Sequence, residues 1–112
     1  MKTRSAKHKG KRLQATVRKA ILERFPHLDE EDVRVPIGSE RGTDIKLSPI
    51  GRAAFPYSVE CKNVERLNIW EALAQAHDNT KEGTTALLVF SRNRTEPHVA
   101  IPLTEFLRLL AK

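Results

Sequence analysis

The sequence lacks the residues that build disulfides, zinc sites and membrane spans. Its single cysteine, Cys61, cannot form an internal disulfide, and one thiol without a second cysteine does not build a zinc site. No His-x-x-x-His pair and no G-x-x-x-x-G-K-[ST] phosphate loop is present, which argues against a zinc hydrolase and a nucleotide-driven enzyme. No apolar run approaches the roughly 20 residues of a membrane-spanning helix. We therefore expect no membrane partner and a location in the reducing cytoplasm.

Acidic residues are missing from the first 22 positions, which hold eight lysines and arginines. The rest of the chain holds 12 basic and 14 acidic residues, so the whole excess behind the net charge of +6 lies at one end. A local cationic surface of this kind favours a polyanion, most simply nucleic acid. The alternative is a solubilising tail. An anionic membrane is less favoured, because no large apolar anchor precedes Leu13.

The basic end of the chain leads into a predicted helix. The length predicts one domain, which we divide into a basic flexible segment, residues 1–10, and a folded part, residues 11–112. Apolar residues at three- and four-residue spacing predict a helix over residues 11–25, with its basic residues largely off the apolar stripe. We expect those residues, their basic neighbours and a basic turn near residue 93 to contact DNA phosphates. The expected contacts are Lys7, Lys9, Lys11, Arg12, Arg18, Lys19, Arg92 and Arg94.

The remaining sequence alternates between strand and helix patterns. Residues 84–91 form a continuous apolar run, which is typical of a central strand covered on both faces. A second helix is predicted over residues 68–80, with Trp70 in its packing stripe, and a short amphipathic helix over residues 104–110 is expected to cover the sheet or a second subunit. Further strands are predicted over residues 33–35, 43–47, 55–62 and 98–101. This order predicts an α/β fold with a mixed β-sheet flanked by helices.

Two of the predicted strands carry acidic and basic side chains that can meet. Side chains alternate between the faces of a strand, so Glu60 and Lys62 share one face, roughly 6–7 Å apart. The short connection favours a hairpin that turns Asp44 toward Glu60 and Lys62. Two carboxylates and a lysine form a pocket for Mg²⁺ with a cation beside it. The alternative is that Glu60 and Lys62 are an exposed salt-bridged pair on a strand.

Asp44, fifteen intervening residues and then Glu60-Cys61-Lys62 resemble the D…(D/E)-x-K signature of the PD-(D/E)XK nuclease superfamily. The pattern is similar to small phage and archaeal endonucleases of the Holliday-junction-resolvase type, which also begin with a basic helix and follow the E-x-K strand with a helix. The resemblance covers roughly residues 7 to 101. It implies a restriction-endonuclease-like core and an endonuclease that uses Mg²⁺, with Mn²⁺ as a substitute. It also implies branched or junction DNA as the partner, in a bacterial or phage-infected host cell.

The same resemblance implies roles within the site. Asp44 and Glu60 are expected to hold the metal together with the backbone carbonyl of Cys61. Lys62 is expected to orient the attacking water or to stabilise the transition state. Four further positions correspond to family residues that lie by the active site. They are Gln14, Ser39, Glu40 and Gln75.

A junction needs two symmetric cuts, so a resolvase is expected to be a homodimer with one active site per subunit. Two alternatives stay open. One is another nuclease of the same superfamily, such as a nickase or a DNA-end-processing enzyme. The other is a catalytically silent nucleic-acid-binding module in which the strand pair is only structural.

Overall fold

The chain forms helices on a mixed sheet in the computed structural model, which describes residues 4–111. Residues 1–3 of the expected basic segment and residue 112 of the expected folded part lie outside the described residues. The elements in chain order are α1 (Arg4–Arg24), β1 (Val33–Arg34), β2 (Lys46–Leu47), α2 (Pro49–Ala54), β3 (Tyr57–Asn63), α3 (Ile69–Asp78), β4 (Thr85–Ser91), β5 (His98–Ala100) and α4 (Leu103–Leu110). The predicted α/β class with a mixed sheet flanked by helices is confirmed.

Helix α1 begins at Arg4 rather than at Lys11, so residues 4–10 of the expected basic segment are helical. Its apolar stripe buries Leu13 and Ile21 against the sheet. The helix ends just before Pro26, whose ring is incompatible with a continued helix. The basic residues that precede the predicted boundary therefore extend the helix.

The main sheet has the strand order β3-β4-β5. Strand β3 runs parallel to β4, while β5 runs antiparallel to it. Leu87, Leu88 and Val89 are all buried in β4, which confirms the prediction of a central strand covered on both faces. Leu87 and Val89 belong to the core under α1, and Leu88 points to the opposite face, which α3 covers.

The predicted hairpin between residues 43–47 and 55–62 is wrong. Strand β2 pairs antiparallel with β1 in a separate two-stranded sheet, and helix α2 lies between β2 and β3. The Ser48 hydroxyl accepts a 3.0 Å hydrogen bond from the backbone N–H of Gly51, and Pro49 occupies the first turn. A hydroxyl cap followed by proline favours a helix start, so a helical turn forms where the sequence predicts a loop.

Helix α3 packs through alanines rather than through its tryptophan. Asn68 caps the helix, and its side chain accepts a 3.1 Å hydrogen bond from the backbone N–H of Glu71, as the capping pattern predicts. Ala72 and Ala76 are buried, whereas Trp70 is 78% exposed. The prediction that Trp70 packs in the core is therefore wrong. The small alanine side chains let the helix backbone approach the sheet closely, which leaves Trp70 on the outer surface.

Helix α4 turns its apolar side to solvent. Leu103, Phe106, Leu107 and Leu110 lie at the i, i+3, i+4 and i+7 positions of one face and are all exposed, so they do not cover the sheet. On the other side Glu105 is buried, and its carboxylate accepts a hydrogen bond from the Tyr57 hydroxyl. Within residues 4–111, neither this helix nor any other has the length and apolar character needed to cross a membrane.

Candidate active site

Asp44 is fixed against the middle of β3 by two hydrogen bonds. Its backbone N–H donates to the carbonyl of Val59 at 2.8 Å, and its Oδ2 accepts from the backbone N–H of Cys61 at 2.7 Å. The chain reaches this position through Gly42, whose φ of +100° favours glycine. Asp44 therefore contacts β3 as expected, through these two hydrogen bonds, although the two segments do not form a hairpin.

Glu60 lies on the face of β3 that α3 covers, and only 5% of its surface is exposed. Its Oε1 accepts a hydrogen bond from Nδ2 of Asn79 at 3.4 Å, and its Oε2 lies 3.6 Å from Nζ of Lys62. Burial raises the pKa of the Glu60 carboxyl, and the nearby charge of Asp44 raises it further. The two carboxylates are thus close enough to repel each other.

Lys62 is held beside Glu60 near the carboxyl end of β3. Its side chain is 21% exposed, so the ammonium pairs with Glu60 at the rim of the sheet and stays within reach of solvent. An exposed salt bridge on a strand is the alternative interpretation of this pair, and the burial of Glu60 argues against it. The arrangement is a partly buried cluster of two acids and one amine.

Cys61 supplies backbone to this site and does not supply its thiol. The Cys61 side chain belongs to the core under α1. Burial strongly raises the pKa of the thiol, and the charges of Asp44 and Glu60 raise it further. Because the thiol packs in this core, the expected contribution of Cys61 to the site is its backbone carbonyl, and that role stays a prediction.

The donor set suits Mg²⁺ better than a metal that needs a complete protein cage. Over residues 4–111 no group of three or more His, Cys, Asp and Glu side chains is arranged to hold a metal ion. Mg²⁺ is commonly bound through one or two carboxylates, with waters and substrate phosphates completing the octahedron. Asp44 and Glu60 fit that pattern, because a bound cation would relieve the repulsion that raises the pKa of Glu60.

Asn79 is a site residue that the sequence does not identify. It is the C-terminal cap of α3, and its side-chain amide contacts Glu60. The position lies four residues after Gln75, so both belong to one side of the helix end. The helix predicted over residues 68–80 includes Asn79, and its contact with β3 depends on how α3 crosses the sheet.

The four further candidates lie on other elements than β3, which carries Glu60. Gln14 is half-buried on α1, next to the core residue Leu13, and Gln75 is exposed on α3. Ser39 lies in an exposed turn, where the Glu40 carboxylate accepts hydrogen bonds from Arg34 and from the backbone N–H of Ile37 at 3.2 and 3.1 Å. The Arg34 guanidinium beside it lowers the pKa of Glu40. Glu40 therefore stabilises its own turn.

The basic candidates divide into exposed residues and residues with structural partners. Arg18 donates to the backbone carbonyls of Val33 and Glu30 at 2.6 and 3.1 Å, so it joins α1 to the segment before β1. Lys9 is mostly buried and lies 3.6 Å from Glu65, and Lys19 forms a weak pair with Glu23 at 4.0 Å. The exposed candidates are Lys7, Lys11, Arg12, Lys19, Arg92 and Arg94.

The amino-terminal part of α1 lies near the site end of the sheet. Nδ2 of Asn63, the last residue of β3, donates a 3.1 Å hydrogen bond to the backbone carbonyl of Lys9. Asn63 follows Lys62 directly, so the backbone at Lys9 lies near the end of the strand that carries Glu60 and Lys62. Comparison of the chain with known protein families, with curated proteins and with solved structures finds no match.

Proposed function

We propose that the protein is an Mg²⁺-dependent DNA endonuclease with a restriction-endonuclease-like core of the PD-(D/E)XK type. The observation that carries the proposal is the 2.7 Å hydrogen bond from the Cys61 N–H to Asp44, which holds this carboxylate beside the buried Glu60 and Lys62. The three residues thus meet in the order that the D…E-x-K signature implies. The buried Cys61 thiol suits a reducing cytoplasm.

Each side chain has a distinct part in phosphodiester hydrolysis. Asp44 and Glu60 would hold Mg²⁺ or Mn²⁺, which when bound lowers the pKa of water and neutralises charge on a phosphate. Lys62, paired with Glu60, is positioned to orient the attacking water and to stabilise negative charge on the scissile phosphate. Asn79 orients the Glu60 carboxylate by donating to Oε1.

The exposed basic residues of α1 supply the contacts that hold DNA over this site. Lys7, Lys11 and Arg12 are exposed, and they flank Lys9, which contacts the end of β3. Contacts of this kind bind the phosphate backbone without reading sequence. Arg92 and Arg94 lie beyond the end of β4 and extend the cationic surface along the same edge of the sheet.

A homodimer acting on branched or junction DNA is the form of this activity that the surface favours. The exposed stripe of α4 adjoins a groove of about 670 Å³ that is lined by both Trp70 and Leu103. Large apolar side chains that are exposed together on one face are typical of an interaction site. Under a two-fold axis the apolar stripe of α4 on each subunit could fill the groove of the other. The resulting dimer would contain two active sites.

A catalytically silent nucleic-acid-binding module is the second candidate. It is favoured by the finding that, over residues 4–111, no third His, Cys, Asp or Glu side chain joins Asp44 and Glu60 in a group that could hold a metal ion. A nickase or DNA-end-processing enzyme would use the same three residues on another DNA. These candidates separate in one assay.

The test incubates the purified protein with labelled four-way junction, flap and linear duplex DNA, with and without Mg²⁺. Paired cuts in the junction that depend on Mg²⁺ and disappear in Glu60→Gln support the resolvase-like activity. Preferential cutting of flaps or ends supports the other nucleases. Binding without cleavage of any substrate in Mg²⁺ or Mn²⁺, and without stabilisation by either metal, would overturn the nuclease in favour of the binding module.

A further inference from the structure

A row of three side chains crosses the sheet outward from the proposed active site. Lys62 on β3 is in register with Phe90 on β4, and Phe90 is in register with His98 on β5. Residues directly opposite each other in neighbouring strands share a face, and the strands are about 4.8 Å apart. The phenyl ring therefore lies next to the lysine, and the imidazole lies one strand further out, on the face that α3 covers.

These two rings form part of a cavity of about 370 Å³, here called the Phe90 pocket. The ring centroids of Phe90 and His98 lie 6.0 Å apart with an angle of 33° between their planes. Nδ1 of His98 lies 2.9 Å from the carbonyl of Glu96, a hydrogen bond that orients the imidazole. The opposite wall is apolar and comes from the segment after β3 and the first residue of α3, namely Val64, Leu67 and Ile69.

The polar rim of the Phe90 pocket is held in place by the loop after β4. Arg92 lines the cavity, and the backbone N–H of the next residue, Asn93, donates to the Glu65 carboxylate at 2.7 Å. The Ser91 hydroxyl donates to the carbonyl of Thr95 at 2.7 Å. Arg92 and Glu65 are therefore the charged residues that line this cavity beside its apolar wall.

We propose that the Phe90 pocket takes one unstacked nucleobase of the DNA, from a nucleotide next to the scissile phosphate. The inference rests on the proposed function and names the substrate feature that the site recognises. A planar base has the shape and the π-face to stack on Phe90 and His98. Its phosphate would face Arg92, while the adjoining phosphate would lie at Lys62, one strand away.

The Phe90 pocket gives the site a preference for branched over linear DNA. A base within a duplex must be unpaired and unstacked before it can enter a pocket, and this is least unfavourable where the base is mismatched or already single-stranded. Stacking on aromatic rings accepts any base, so the preference concerns DNA structure and not sequence.

The experiment pairs protein variants with abasic DNA. His98→Ala and Phe90→Leu remove the stacking rings, and Phe90→Leu keeps an apolar side chain in the strand. Val99→Ala is the matched control, because Val99 is exposed on the same short strand but faces the other side of the sheet. Binding of a junction is measured in Ca²⁺, with a single abasic nucleotide moved through the positions that flank the branch point, and folding is checked by thermal melting.

We expect the wild type and Val99→Ala to lose about tenfold in affinity when one particular flanking nucleotide becomes abasic. His98→Ala and Phe90→Leu should bind the intact junction about tenfold more weakly and be insensitive to the same abasic change. Equal abasic sensitivity in all four proteins, or none in the wild type, overturns the pocket.

Cleavage in Mg²⁺ is measured in parallel. If the protein cleaves DNA but the variants keep the abasic sensitivity of the wild type, the pocket proposal alone is refuted. If the variants lose that sensitivity but no DNA is cleaved, the nuclease proposal alone is refuted. If no DNA is bound, both proposals are refuted.

Discussion

The backbone N–H of Cys61 donates a 2.7 Å hydrogen bond to Oδ2 of Asp44, a residue that lies outside the main sheet. This bond joins the turn after Gly42 to β3 and sets the position of the carboxylate. Asp44 therefore has two separable properties, a hydrogen-bond acceptor that stabilises the fold and a negative charge that would bind the metal.

Substitution of Asp44 separates these properties. Asp44→Asn keeps an oxygen that can accept from Cys61, so we expect a free energy of unfolding close to that of the wild type. Asp44→Ala leaves that N–H without this acceptor and should lower the free energy of unfolding by about 1–3 kcal/mol. Both should reduce Mg²⁺-dependent cleavage by about 100-fold or more, since even outer-shell changes reduce metal-site activity by about 10–100-fold. Urea denaturation and single-turnover cleavage measure the two effects, and an active Asp44→Asn would contradict the proposed metal role.

Glu60 gives a pH-dependent prediction. Its folded-state pKa is raised by burial and by Asp44, so the folded protein binds the proton more tightly than the unfolded chain does. Its contribution to stability is therefore present below the ordinary glutamate pKa and is lost as the pH rises through the raised value. Without metal, Glu60→Gln should be at least as stable as the wild type at pH 7. As the pH falls, the free energy of unfolding of the wild type should increase relative to that of the variant.

Thermal melting of both proteins from pH 4 to pH 8 checks this prediction, because carboxylates that do not interact with Glu60 cancel in the difference. Added Mg²⁺ should raise the melting temperature of the wild type and leave Glu60→Gln unchanged. A wild type that is more stable than Glu60→Gln at pH 7 without metal would mean that Lys62 and Asn79 outweigh the burial of the charge.

The sequence predicts those parts of the fold that depend on local pattern. The continuous apolar run of β4 and the cap of α3 at Asn68 are confirmed. Trp70 shows the limit, because helical periodicity places a large aromatic on the packing stripe, while the approach to the sheet selects Ala72 and Ala76 instead. The contact of Asp44 with β3 agrees with the motif. The chain between them forms helix α2 instead of a hairpin turn, and strand patterns do not predict this.

Tyr57 and Glu105 give a stability prediction away from the site. The Tyr57 hydroxyl donates to the buried Glu105 carboxylate, which also accepts from Arg108 at 2.8 and 2.9 Å. Tyr57→Phe removes one donor from a buried carboxylate and should lower the free energy of unfolding by about 1–3 kcal/mol. Cleavage should be unchanged, because Tyr57 begins β3 and lies about 17 Å along the strand from Lys62. Equilibrium denaturation with a cleavage assay tests both, and a stability equal to wild type would show that the bond from Tyr57 is not needed to stabilise the Glu105 carboxylate.

The exposed face of α4 gives the prediction about assembly. Leu107 is 52% exposed on the apolar stripe, so Leu107→Glu should change the stability of a single subunit little. In a dimer the same change buries an unpaired charge, and we expect it to convert the 12.7 kDa chain from dimer to monomer. Ile37→Glu is the matched control, because Ile37 is 76% exposed on a loop outside this face.

Sedimentation equilibrium measures the mass of the three proteins, and cleavage of a circular plasmid bearing an extruded cruciform measures the coupling of the two cuts. The wild type and Ile37→Glu should sediment as dimers and linearise the plasmid by paired cuts within one binding event. Leu107→Glu should sediment as a monomer and release nicked circles first, because each subunit cuts one strand independently. A monomeric wild type that still makes paired cuts would refute the two-fold arrangement. A dimeric Leu107→Glu would place the interface elsewhere on the surface.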